Sequence, residues 1–259
     1  MKAIGIIPAR MASSRFPNKP LALIHGVPMV GHCWFRSKMS KSLDEVYIAT
    51  CDQAVMDYAK SVNAPCIMTK DTHERASDRA AEAMLKIEAA GAKKSDVIVM
   101  IQGDEPMLLP EMMDLALGPL AEDPKVQISN LMAEMETAEE FEDPNEVKVV
   151  VDPKGNALYF SREPIPSRKK GAKKVPMLKQ VCIIPFRRDY LLKFNDMPQT
   201  PLEIIESVDM MRILESGGAV RMVMSKAKTL SVDTPADLAR VIEAMRTDKL
   251  MLKYGAKVS

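Results

Sequence analysis

Ile4-Gly-Ile-Ile-Pro-Ala-Arg-Met-Ala-Ser-Ser-Arg-Phe-Pro-Asn-Lys-Pro20 is the stretch that decides the fold. Its apolar start, Ala3–Pro8, reads as a buried β-strand, and the strand empties into a loop bearing Arg10, Arg15 and Lys19. Like charges so close on one short loop repel each other unless a polyanion sits among them. A nucleoside triphosphate fits that requirement. Pro8, Pro17 and Pro20 stiffen the loop, and Ala12, Ser13 and Ser14 are short enough for backbone N–H groups to approach an anion. A loop directly after a first strand lies at the sheet edge where open α/β folds bind ligands. Pro8, Ala9, Arg10, Ser13, Arg15 and Lys19 are therefore nucleotide-binding candidates.

No Gly-x-x-x-x-Gly-Lys-Ser/Thr and no Gly-x-Gly-x-x-Gly follows that strand. Phosphate binding must then rest on side-chain cations rather than on a glycine cradle, which separates the loop from those of kinases, ATPases and dinucleotide enzymes.

The remainder of the chain fits an α/β protein. Runs of β type (Glu45–Ala49, Cys66–Met68, Asp96–Ile101) alternate with helical patterns (Pro28–Met39, Gln53–Val62, Ala76–Ala90, Glu111–Leu120). Asp96–Ile101 is apolar on both faces, as in a parallel sheet covered by helices on each side. The order predicts a doubly wound, mostly parallel sheet. After residue 145 the character changes. Lys148–Asp152 and Ala157–Ser161 form a predicted hairpin around Asp-Pro-Lys-Gly-Asn, and Leu178–Pro185 reads as a further strand. Leu202–Ser216 reads as one helix, Ala219–Val223 as a strand and Thr234–Arg246 as the last helix. The expectation is a single domain over 1–259 with an inserted β-rich section at about 145–190. Arg168–Lys174 reads as a solvated basic loop.

A net charge of +1 gives no case for bulk binding to nucleic acid. The four cysteines lack metal-type spacing and read as reduced thiols. No apolar run approaches the ~20 residues of a spanning helix, and Met1 leads straight into a core strand, so a soluble cytoplasmic protein is expected.

Two carboxylates stand out. Asp104, in Gln102-Gly-Asp-Glu-Pro106, follows a buried strand and so shares a sheet edge with the Arg10 loop. It suits Mg²⁺, which takes carboxylate and phosphate oxygens, although Gly-Asp before Glu-Pro also makes a simple turn. Asp233, in Ser-Val-Asp-Thr-Pro, is the second metal candidate, with an N-cap as its bland alternative. His73, Ser77 and Arg79 lie at the start of the Ala76 helix, where an N-terminus attracts anions, and with Gln102 they complete the nucleotide-binding candidates.

Five ordered motifs then resemble one family: Pro8-Ala-Arg-x-x-Ser-Ser-Arg-x-Pro-x-Lys-Pro20, Gln102-Gly-Asp-Glu-Pro106, Asn145-x-Val-Lys-Val-Val150, Ala157-Leu-Tyr-Phe-Ser-Arg162 and Val232-Asp-Thr-Pro-x-Asp-Leu238. Together they resemble the CMP-Kdo synthetases, the 3-deoxy-manno-octulosonate cytidylyltransferases. The resemblance implies a nucleotidyltransferase-type α/β fold and transfer of CMP from CTP to the anomeric hydroxyl of a 2-keto sugar acid, with release of pyrophosphate. By analogy Arg10, Arg15 and Lys19 hold the triphosphate, with Asp104 as a fourth catalytic residue, while Asp104 and Asp233 hold Mg²⁺. Gln102, Tyr159, Arg162, Lys179, Gln180, Glu203 and Glu206 contact the acceptor. A homodimer is implied as well, with residues 156–166 and 178–186 at the contact.

Three departures accompany the resemblance. Asn18 replaces a usual Gly, and Arg75-Ala-Ser77 replaces Ser-Gly-Thr. Gln180 and Ile184 stand where the family has His and Tyr. A site built to hydrogen-bond a polyhydroxylated sugar discriminates strongly, so these last changes predict weaker Kdo binding or another acidic acceptor, such as a nonulosonate, another 2-keto acid or a phosphonate. A relative that binds nucleotide without turnover is the remaining alternative, opposed by the retention of both Asp104 and Asp233.

Overall fold

The computed structural model describes residues 1–12, 16–171 and 174–255. Ser13 and Arg15, and residues 172 and 173 of the basic loop, lie outside the described residues. The chain forms two compact units, Met1–Asp114 with Lys228–Ser259, and Leu115–Ala227.

The first unit begins with β1 (Ala3–Ala9), a two-residue hairpin of β2 (Leu23–Ile24) and β3 (Val27–Pro28), and α1 (Met29–Ser37). Then come β4 (Glu45–Thr50), α2 (Gln53–Ser61), β5 (Cys66–Met68), α3 (Ala76–Ala89) and β6 (Val97–Ile101). The four longer strands pair in parallel in the order β6-β1-β4-β5. All five β6 residues are buried, and each such Val or Ile contributes about 1.5–3 kcal/mol relative to exposure. Strand order reverses at β1: β4 and β5 extend one way, and β6 lies on the other side. That reversal is the topological switch point of an open α/β sheet, and the crevice beyond its strand ends is the ligand site such sheets offer. The residues after β1 and after β6 both emerge there.

Helix α4 (Pro110–Glu122) carries the chain into the second unit, followed by β7 (Ser129–Glu134), α5 (Ala138–Glu142), β8 (Lys148–Val151) and β9 (Ala157–Ser161). The hairpin β8–β9 is antiparallel as predicted, its turn held by Asp152 Oδ1, which accepts from the Lys154 and Asn156 amides. Next are β10 (Leu178–Val181), β11 (Ile183–Arg187), α6 (Arg188–Asp196), α7 (Pro201–Glu206), α8 (Met210–Glu215) and β12 (Arg221–Ser225). The sheet runs β12-β7-β10-β8-β9, with β12 parallel to β7 and the other pairs antiparallel.

Two of the predicted elements divide in the structure. The strand expected over 178–185 divides at Cys182. Along β7 the pairing Val181↔Leu131 gives way to Phe186↔Ile128, two residues out of register, so the intervening stretch bulges away. The helix expected over 202–216 breaks because Ser207 takes a left-handed conformation (φ 52°). The Glu206 carbonyl exposed by that break accepts from Arg162 Nε at 2.8 Å.

On its return to the first unit the chain forms α9 (Pro235–Met245). Thr234 caps this helix by accepting from the Asp237 amide, and Asp237 completes a capping box. Val232, Val241 and Met245 pack with Ile24 and Met29, which anchors the segment carrying Asp233 to the β2–β3 hairpin and the start of α1.

Candidate active site

In the first unit the loop after β1 is held by its own backbone and by Asp52, whose Oδ2 accepts from the Met11 amide at 2.8 Å. Asn18 has φ 61°, a left-handed conformation that favours Gly and next Asn. Asn18 therefore suits the turn its own backbone makes. Past that turn, Lys19 points its ammonium at Asp104 Oδ2 (2.8 Å), Asp233 Oδ1 (3.5 Å) and the Val232 carbonyl (2.9 Å). Burial alone would lower the Lys19 pKa, but the two carboxylates outweigh it and raise it. The side chain is a fixed cation.

Asp104 reaches this position because Gly103 lets its backbone pass close to β1. A Cβ at Gly103 would lie 3.1 Å from the Pro8 carbonyl and 3.3 Å from Ile7 Cγ2. Asp233 reaches it because Thr234, not Asp233, caps α9. The structure thus brings together Lys19, Asp104 and Asp233. Asp104 Oδ1 is buried without a hydrogen-bond partner, which is costly for a carboxylate oxygen unless a further ligand uses it. Two carboxylates and an orphaned oxygen fit a Mg²⁺-type cation, which needs one or two protein carboxylates and takes water and phosphate for the rest. No group of three or more metal-ligating side chains occurs among the described residues.

The other nucleotide candidates divide. Pro8 and Ala9 end β1, and Arg10 is exposed with no side-chain partner among the described residues. Gln102 is half-buried, and its amide likewise has no partner among the described residues. Arg79 is buried and donates to Thr69 Oγ1, Lys70 O and His73 O, stapling residues 69–73 onto α3. His73 pairs with Glu82, and Ser77 is fully buried. These three shape the loop before α3.

In the second unit Tyr159, Arg162 and Glu206 come together. Glu206 accepts from Tyr159 Oη (3.1 Å), Ser161 Oγ (3.0 Å) and the Arg162 amide (2.8 Å). Lys179 and Gln180 are neighbours on β10 and so project to opposite faces of the sheet. Lys179 pairs with Glu146 at 3.1 Å and Glu140 at 3.7 Å. Gln180 donates to Asn130 Oδ1, and the Asn130 amide is fixed on the Leu131 and Val181 carbonyls. Glu203 is completely buried in a two-pronged pair with Arg212 (2.8 and 2.7 Å). Ile184 is buried in β11.

Residues 4–229 match the cytidylyltransferase family. The chain is 39% identical over 256 residues to the 3-deoxy-manno-octulosonate cytidylyltransferase of Pelobacter propionicus, covering 95% of this chain and 98% of that one. To the enzyme of the same name from Geobacter metallireducens it is 40% identical over 255 residues, with the same coverage. The chain belongs to the cytidylyltransferase family. A solved CMP:2-keto-3-deoxy-manno-octonic acid synthetase complexed with CTP superposes with a TM-score of 0.86 at 37% identity, over 95% of this chain and 98% of that one. The protein is a nucleotidyltransferase of mixed α/β fold.

Two supporting residues of this cytidylyltransferase escaped the sequence reading. Asp52 had a usable signal, since it follows β4 at the same sheet edge as the end of β1. Asn130 had little, since it sits in β7, a strand that its polar residues disguise.

Proposed function

We propose that the protein transfers CMP from CTP to the anomeric hydroxyl of 3-deoxy-manno-octulosonate, releasing pyrophosphate. The single observation that carries this reading is the convergence of Lys19, Asp104 and Asp233 at the switch point of the sheet, in a chain of this family.

Lys19, with Arg10 and Arg15, holds the triphosphate and neutralises the leaving pyrophosphate. Such a reaction needs little covalent participation from the protein, because positioning and charge neutralisation supply most of the rate. Asp104 and Asp233 hold Mg²⁺, which when bound lowers the pKa of the attacking hydroxyl and offsets charge on the α-phosphate. Pro8, Ala9 and Ser13 border the nucleotide, and His73, Ser77 and Arg79 keep the following loop in shape. Gln102, Tyr159, Arg162, Gln180 and Glu206 bind the acceptor, while Lys179 and Glu203, committed to Glu146 and to the buried Arg212, hold the scaffold of the second unit.

The reading carries a homodimer in the cytoplasm. Leu158, Ile204 and Ile205, all more than half exposed on the second unit, are the apolar side chains that a partner copy would cover. No helix among the described residues is long and apolar enough to cross a membrane.

The test is pyrophosphate release with CTP and Mg²⁺ against Kdo, 8-amino-Kdo, nonulosonic acids and small phosphonates, with UTP and ATP as controls. CTP-specific release with Kdo is expected. Release only with another acid would keep the chemistry and move the acceptor, whereas CTP binding without release from any acceptor would overturn the catalytic reading.

A further inference from the structure

The second unit contains a cleft of about 660 Å³ at the N-terminal ends of β7 and β12. Lys125 contributes from the loop ahead of β7, Lys193 from α6, and Arg221 is the first residue of β12. Ile213 and Tyr190 supply an apolar and aromatic wall. Gly218 keeps that wall open, since a Cβ there would lie 2.8 Å from Ile213 Cγ2 and 3.3 Å from Tyr190 Oη.

The cations in this cleft differ from the buried cations of the unit. Lys148, Lys179 and Arg212 are all committed to carbonyls or carboxylates. Lys125 and Lys193 make no side-chain hydrogen bond or ion pair among the described residues. Arg221 uses only Nε, on Asn156 Oδ1 at 3.0 Å, which leaves its terminal nitrogens uncommitted. The Tyr190 hydroxyl also has no partner among the described residues. Asp123 is the carboxylate of the lining, and its Oδ1 already accepts from the Lys125 amide at 2.8 Å. The rim is held in place from below: Arg187 donates to the carbonyls of Leu120, Asp123 and Val126.

The cleft lies away from the two acceptor candidates on β10. Lys179 and Gln180 pair with Ala133 and Met132 near the far end of β7, and the strand from Ile128 to Ala133 spans about 17 Å.

We propose that this cleft is a second anion site, built for a small phosphate-bearing molecule. Three cations against one carboxylate leave an excess of positive charge that a monocarboxylate does not match and a phosphate or diphosphate does. The free Arg221 fork and the Tyr190 hydroxyl address tetrahedrally arranged oxygens. Ile213 and the Tyr190 ring leave an apolar surface for the organic part of the ligand. The proposal does not depend on the acceptor or on the transfer reaction.

The experiment is a titration of the full-length protein with inorganic phosphate and with pyrophosphate, followed through the ¹⁵N-labelled amides of Gly217 and Gly218. Gly103, beside Asp104, reports separately on the catalytic loop. Saturable shifts at Gly217 and Gly218 are expected. In Lys193→Ala and Arg221→Gln they should need about tenfold more ligand, as for loss of one charge-assisted hydrogen bond, while the Gly103 response stays as in the parent. Saturation by phosphate alone identifies a one-phosphoryl ligand, and a requirement for pyrophosphate identifies a diphosphate. Shifts confined to Gly103, shifts unaltered in both variants, or equal shifts with chloride at matched ionic strength would each overturn the proposal.

Discussion

The Lys19 ammonium sits 2.8 Å from Asp104 Oδ2 and 3.5 Å from Asp233 Oδ1, so one cation joins two carboxylates that are far apart in the sequence. Replacing it exposes the repulsion between them as well as removing a triphosphate ligand. Lys19→Met is expected to lower kcat by about 10²–10³-fold, the usual cost of deleting one transition-state charge contact. Steady-state pyrophosphate release measures it. A variant with parental kcat would remove Lys19 from the chemistry.

Asp104→Asn separates charge from shape. The amide keeps the side chain's size beside Gly103 but no longer offers an anionic oxygen to a divalent cation. Turnover should fall at least about 100-fold at fixed Mg²⁺, and the Mg²⁺ concentration for half-maximal rate should rise, with the far-ultraviolet circular dichroism unchanged. An unaltered Mg²⁺ dependence would take Asp104 out of the metal site.

Glu203 and Glu206 are two acidic residues of α7 with opposite fates. Glu203→Ala strands the Arg212 guanidinium, itself buried and otherwise held by the Phe194 and Met197 carbonyls. Breaking such a pair costs about 3–5 kcal/mol, visible as a lower urea midpoint. Glu206→Gln leaves Arg212 paired, and its effect should fall on the KM for the acceptor. If both variants change acceptor KM alike at unchanged stability, the buried pair is not structural.

Gln180 departs from the family histidine, yet it is fixed by Asn130 and points from a known face of β10. Gln180→Ala should raise the KM for Kdo about tenfold, as for one lost hydrogen bond, without altering the KM for CTP. Equal effects on both substrates would place Gln180 outside the acceptor site.

The sequence made the first unit readable because its signals are local. The apolar run of β1, the doubly buried β6 and the residues just beyond each strand fix one sheet edge, so Lys19 and Asp104 were foreseeable from position. Asp233 was foreseeable only as a candidate, since its place depends on Thr234 taking the cap and on Val241 and Met245 packing against Ile24. The second unit hid more. Its β7 carries Ser129 and Asn130 among apolar residues, so it gave no clean period, and the register change opposite Cys182 follows from pairing with that unseen strand. Whether Glu203 served substrate or core was likewise undetermined until Arg212 could be seen beside it.

The last prediction concerns acid stability. His32 is buried between Tyr254 Oη and the Ile24 carbonyl, and Arg36 Nε donates to the same tyrosine oxygen. Burial lowers the His32 pKa to about 4, and the nearby Arg36 charge acts in the same direction. The folded state therefore holds His32 neutral, while the unfolded chain protonates it near 6.5. Its contribution is complete above pH 6.5 and is lost as the pH falls from there through about 4, amounting to about 3 kcal/mol by linkage. Glu82 acts in a lower window. Burial raises its pKa, but Lys86, the Lys70 amide and His73 prevail and bring it to about 2, so its share is lost only below the ordinary carboxylate range. Urea midpoints for the parent and for His32→Gln, taken at intervals from about pH 7.5 to pH 4.5, separate the two. The parent should lose stability across that span, and the variant, which has no imidazole to protonate, should lose distinctly less. Parallel curves would mean that His32 is not the group whose protonation opposes folding, and that the Arg36–Tyr254 contact holds the C-terminal segment without regard to its charge.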